Sequence, residues 1–208
     1  MRRTSFLIAL LLLSAPAVFA QNRAFDLTAN AVWVDPTSEG TINSDDPTDV
    51  NFDADLGYGL AANIFWGTRI STEFAVARVN PETNIRRRAV GSSGDAEMMP
   101  ITAVLQFHLA PNGTIDPYIG AGAAYVLFDD VDSNSLNGVQ HIELKDDVGL
   151  ALNGGIAIKL GSRFGIVGDV KYVPLSSSAR AVYVTGPDSE AKIDINPVIV
   201  SAGLQLRF

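Results

Sequence analysis

Two histidines, His108 and His141, are the only imidazoles in the 208-residue chain, and cysteine is absent. Side-chain hydrolysis needs a nucleophile within hydrogen-bond reach of a base that a third group orients. Serines are plentiful, but none stands in a Ser-His-Asp spacing with either histidine. Thiolate and disulfide chemistry have no residue to use. The chain is therefore read as a non-enzyme with no catalytic residue, metal ligand or cofactor.

Other motifs are equally weak. Gly120-Ala121-Gly122 is reminiscent of a dinucleotide-binding turn, but no helix follows to receive a phosphate. Asn112-Gly113-Thr114 is formally a glycosylation acceptor and reads as a turn. Asp45-Asp46, Asp129-Asp130 and Asp146-Asp147 are acidic pairs. They could hold a divalent cation beside lipopolysaccharide phosphates, or be solvated loop charge. Arg86-Arg87-Arg88 is the one basic run, suited to phosphate geometry or again to solvent.

The elements that position these residues are extended. Arg2 and Arg3 followed by the apolar run Phe6 to Leu13 and by Val18-Phe19-Ala20 read as a secretory signal, with cleavage expected after Ala20. This gives a leader at 1–20 and one domain at 21–208. Removing two of the 15 basic residues and none of the 23 acidic ones leaves 13 against 23, a charge of −10. So acidic a chain argues against nucleic acid as a partner. Mean hydropathy is +0.19 and 47% of residues are hydrophobic, yet after the leader no apolar run approaches the ~18 residues of a spanning helix.

Period-two alternation accounts for those apolar residues. Phe25, Leu27, Ala29, Ala31 and Trp33 alternate with Asp26, Thr28, Asn30 and Val32. The same pattern recurs in Ala54–Trp66, Arg69–Val76, Ile101–His108, Ile119–Leu127, Leu150–Leu160, Phe164–Tyr172 and Val198–Phe208. Eight strands result. Short connections at Trp66–Ile70, Phe107–Tyr118 and Leu160–Phe164 alternate with long polar ones at Asp35–Asp49, Pro81–Glu97, Asp129–Asp147 and Pro174–Glu190. A soluble sandwich also alternates but does not require unequal loops. Large aromatics near both ends of the apolar face form two girdles, as a lipid interface selects.

The fold expected is an all-β, eight-stranded antiparallel transmembrane β-barrel in the outer membrane of a Gram-negative cell. Both termini would be periplasmic, with short turns inside and long loops outside. Hydrocarbon offers no partner for an open edge, so the last strand should pair with the first. Phe208, on the lipid face of the last strand, reads as an assembly signal for the barrel assembly machinery.

Eight strands enclose room for side chains or one small ligand. Inward positions divide by height. Val32, Val34, Ala75, Ala77, Val104, Val126 and Val173 make the upper lumen small and apolar, a candidate pocket for a small hydrophobic ligand or simply what fits a tight barrel. Asp26, Arg69, Glu73, His108, Asp169 and Arg207 make a lower polar plug whose opposite charges should pair.

Three stretches carry a family resemblance: Pro117-Tyr118-Ile119-Gly120-Ala121-Gly122, Val148-Gly149-Leu150-Ala151-Leu152, and Ile193-Asp194-Ile195-Asn196-Pro197 with Gly203-Leu204-Gln205-Leu206-Arg207-Phe208. With the order of leader, strands and loops, the chain resembles the outer-membrane protein W family. The resemblance implies a small barrel with a narrow, largely apolar channel associated with uptake of small hydrophobic compounds. It also implies that Lys171 stands at the channel's constriction, where family members often carry an aromatic residue, making it a possible gate. The leading function is thus binding or passive uptake of small hydrophobic molecules. The alternative is a non-transporting structural or receptor-like role through the loops. Outer-membrane lipid and lipopolysaccharide are the expected surroundings.

Overall fold

The computed structural model describes residues 24–36, 40–42, 48–52, 54–80, 82–87, 90–95, 97–128, 139–144, 146–183 and 189–208. The leader expected at 1–20 lies outside them. In chain order the strands are β1 (Phe25–Pro36), β2 (Gly40–Ile42), β3 (Thr48–Phe52), β4 (Asp55–Phe65), β5 (Ile70–Arg78), β6 (Glu82–Arg87), β7 (Val90–Asp95) and β8 (Met98–His108). They continue as β9 (Ile115–Phe128), β10 (Val139–Leu144), β11 (Asp147–Lys159), β12 (Phe164–Tyr172), β13 (Leu175–Tyr183), β14 (Ser189–Ile195) and β15 (Pro197–Arg207).

Eight of these close a barrel in the order β1-β15-β12-β11-β9-β8-β5-β4. β1 pairs antiparallel with both β4 and β15, so neither end of the sheet is left as an edge. The seam runs from Asp26 opposite Arg207 to Pro36 opposite Pro197. Beyond it, Phe208 N–H donates to the Phe25 carbonyl (2.9 Å), Ala24 N–H donates to the Phe208 carbonyl (3.1 Å), and the rings of Phe25 and Phe208 lie 5.7 Å apart. Tight turns join strands at one end: Trp66 N–H donates to Ile70 O (2.9 Å) and Leu160 N–H to Phe164 O (3.0 Å).

The burial pattern is inverted relative to a soluble protein. Along β12 every residue switches between exposed and buried. The exposed set is hydrocarbon, with Leu56 at 72%, Leu204 at 71% and Leu150 at 67%, while Asp26, Ser71 and Asp116 are fully buried. A sandwich would place these residues the other way round; only a lipid exterior accepts this arrangement. Both aromatic girdles are exposed: Trp33, Tyr58, Tyr125 and Tyr172 toward the long loops, and Trp66, Phe107, Phe164 and Phe208 toward the turns.

The long connections differ from the expectation. Read as polar loops, they carry further ladders: a four-stranded sheet in the order β2-β3-β6-β7 and a three-stranded sheet in the order β10-β13-β14. Segments such as Val90–Asp95 lack an apolar period, so alternation does not reveal them. Their pairing rests on backbone hydrogen bonds that extend the hairpins below.

Candidate functional site

The lumen is layered. Nearest the turns, the strand ends bring five polar side chains and one phenyl ring together. Ser71 Oγ lies 2.9 Å from His108 Nε2, and His108 Nδ1 lies 2.9 Å from Asp116 Oδ2. With Asp116 ionised, Nδ1 donates to the carboxylate and Nε2 accepts the serine hydroxyl. Asn63 Nδ2 donates to Gln106 Oε1 (2.9 Å), whose oxygen also lies 3.4 Å from Ser71 Oγ. Phe65 closes the layer from the inner face, its ring 5.1 Å from that of His108.

This order of serine, histidine and aspartate is one that the sequence did not disclose. Ser71, His108 and Asp116 come from β5, β8 and β9, and only the register of the barrel makes them neighbours. Asp116 went unnoticed because Pro111 to Pro117 reads as a turn, whereas β9 already begins at Ile115. Phe65 went unnoticed because a large aromatic is not expected on the inner face of a narrow barrel. Ser71 and Asp116 are completely buried and His108 is 1% exposed, so nothing can reach the hydroxyl.

One layer up lies a buried charge belt. Lys171 Nζ meets Asp169 Oδ1 at 2.5 Å and Glu73 Oε1 at 2.9 Å, the latter as a charge contact rather than an aligned hydrogen bond. Asp169 Oδ2 accepts from Tyr118 Oη and Asn153 Nδ2, each at 3.0 Å. Tyr118 in turn lies across Gly155, where a Cβ would collide with the phenol oxygen. The belt therefore draws on β5, β9, β11 and β12 and spans the lumen. Lys171, expected at the constriction, is its central cation.

Val32, Val34, Val126 and Val173 above the belt, with Val104 opposite Glu73, belong to one apolar cluster, none more than 3% exposed, with Ala77 packed against it. These side chains close on one another. Ala75 lies lower, lining a cavity of about 30 Å³ between the cluster and Lys171.

The expected plug is corrected at Arg69. It is exposed at the turn end and donates to the Leu109 carbonyl (3.0 Å), so it is no part of the plug. It falls one residue before β5 begins and leaves the inner face where the chain turns. Asp26 and Arg207 are buried opposite each other on the seam, Arg207 Nε donating to Gln205 Oε1 (2.9 Å). Of the loop residues singled out, Asp45, Asp46, Arg88, Asp129 and Asp130 lie outside the described residues. Asp146 accepts from Tyr125 Oη (3.0 Å) at the loop rim.

This layered lumen sits in a chain that matches the model of the OmpW family over residues 21–208. The chain belongs to the OmpW family. Among its relatives, outer membrane protein W of Vibrio cholerae is 28% identical over 204 residues, covering 91% of each chain. An uncharacterized outer-membrane protein of Sinorhizobium fredii, y4mB, is 31% identical over 172 residues, covering 81% of this chain and 73% of its own. The crystal structure of OprG from Pseudomonas aeruginosa superposes with a TM-score of 0.80 at 21% identity, covering 90% of this chain and 97% of that one. At that identity the OprG likeness speaks for the fold. OmpW membership places the barrel among outer-membrane proteins, in accord with its apolar exterior.

Proposed function

We propose that the barrel binds small hydrophobic molecules at the outer membrane and admits them passively into its upper lumen. The observation that carries this reading is the division of the lumen: a valine-rich layer above, a paired charge belt below. The belt obstructs a continuous aqueous path, and the valine layer offers a solvent only to apolar solutes. Family membership adds the association with apolar compounds that the resemblance implies. Entry requires the valines to part. In this reading the long loops face the exterior and both chain ends the periplasm, Lys171 closes the lumen midway, and lipopolysaccharide phosphates meet Arg86-Arg87-Arg88. The chain has no enzymatic role: Ser71 should resist a fluorophosphonate probe in the folded protein.

The test exchanges Val32, Ala75 and Val126 for larger or charged residues while the loops stay intact. Uptake of an apolar compound should fall more than tenfold in cells that make the variants at wild-type levels. One observation favours a second reading, the tight packing of the valine layer, which suits a barrel that transports nothing and acts through its loops. Uptake unchanged by the lumen variants and abolished by loop deletion would select it.

A further inference from the structure

The cavity of about 30 Å³ sits where the two lumen layers meet. Its lower boundary includes Lys171, and Asn30, Thr102 and Ser201 add polar groups, while Val32 and Ile199 supply apolar wall. Thr102 is only 4% exposed, and its Oγ1 has no hydrogen-bond partner. Buried hydroxyls are nearly always bonded, so an unbonded one in the wall of a cavity asks for an occupant. Lys171 repeats the request. Its ammonium has three N–H groups and two carboxylate neighbours, Glu73 and Asp169, which leaves at least one N–H over.

Thr102 and Lys171 thus border a space that holds roughly two oxygen-sized groups, at the ~10–15 Å³ each requires. From these observations we infer that the cavity is a head-group subsite for one uncharged oxygen function (a hydroxyl, carbonyl or ester) at the end of an otherwise apolar molecule. The inference rests on the proposed apolar lumen and names the class of ligand it takes. Charge on the head is excluded for a stated reason. Glu73, Asp169 and Lys171 already sum to −1, so a carboxylate would add a second uncompensated charge in a low dielectric. An ammonium head would face Lys171. A polyhydroxylated head exceeds the volume. The tail continues upward along Val32, Ala77 and Ile199.

The experiment titrates the full chain in lipid nanodiscs with octane, 1-octanol and octanoate, following the methyl resonances of Val32, Val104 and Ile199. The wild-type protein should bind octanol at least fivefold more tightly than octane, with octanoate weakest. Thr102→Val, which removes one hydroxyl at constant shape, should lose about fivefold for octanol and nothing for octane. Thr102→Ser should restore the preference. Octanol affinity unchanged by Thr102→Val, equal wild-type affinities for octanol and octane, or octanoate as the tightest ligand would each overturn the subsite while leaving the apolar lumen standing. Methyl resonances that respond to none of the three would overturn both. The comparison of octanol with octane needs no variant, so a poorly folding Thr102→Val protein does not blunt the test.

Discussion

Lys171 shows how one side chain holds the lumen together. It stands between Glu73 and Asp169, all three almost inaccessible to solvent. Breaking a buried pair by removing one partner costs far more than the pair contributes, because the remaining charges are stranded. Lys171→Met should therefore destabilise the barrel by about 3–5 kcal/mol, read as a lower urea midpoint in detergent micelles. Adding Glu73→Gln to Lys171→Met should recover part of the loss, since one stranded charge is gone. Ser71→Ala is expected to cost less, about 1–3 kcal/mol, because a neutral hydrogen bond is lost and His108 Nε2 is left without its partner.

At the scale of single strands, glycine has two meanings. Gly155 on β11 faces inward beneath Tyr118, where any side chain collides with the phenol. Gly168 on β12 faces outward, and a Cβ there meets nothing within 4 Å. Gly155→Leu should therefore prevent folding or cost at least 1–3 kcal/mol by overpacking, whereas Gly168→Leu should leave the unfolding midpoint within about 0.5 kcal/mol of wild type. The heat-dependent shift in gel mobility that separates folded from unfolded barrels checks both. β15 makes a different demand. Deleting Phe208 removes the Phe208 N–H bond to Phe25 and the acceptor for Ala24 N–H. Closure at the seam should slow, and membrane insertion should fall while export and leader cleavage proceed, as a protease-protection assay would show.

The whole molecule is held by a contrast of solvents. Its exterior is apolar between two aromatic girdles and the lower half of its interior is polar, so stability depends on the bilayer as much as on the protein. A charge placed on the outer face should cost according to depth. Leu204→Arg, which lies opposite Ala29 midway between Trp33 and Phe25 on the seam, is expected to cost about 2–4 kcal/mol, and Trp66→Arg, at the turn-side interface, about 0–1 kcal/mol. Equilibrium folding into lipid vesicles measures both values. Equal costs at the two positions would contradict the assignment of the girdles to the membrane boundaries.

Much of this was legible in the sequence because a barrel strand repeats its environment at every second residue. Period-two alternation located the eight barrel strands, their inner and outer faces and the alternation of short and long connections. Glu73, His108 and Asp169 were placed inside by parity, and Lys171 was placed at the constriction by the family resemblance. What parity cannot supply is height and neighbourhood around the barrel. Ser71, His108 and Asp116 are separated by 37 and 8 positions, and only the pairing of β5 with β8 and of β8 with β9 sets them in one layer. Strand ends are equally invisible to periodicity. Arg69 immediately precedes β5, and that is enough to move it from the expected plug to the rim. How closely the valines pack is likewise set by the little room that eight strands enclose, which periodicity does not measure. The strand pattern is a property of the chain and the bilayer, legible in one dimension. The lumen's contacts belong to the closed ladder, whose register exists only once β15 has met β1.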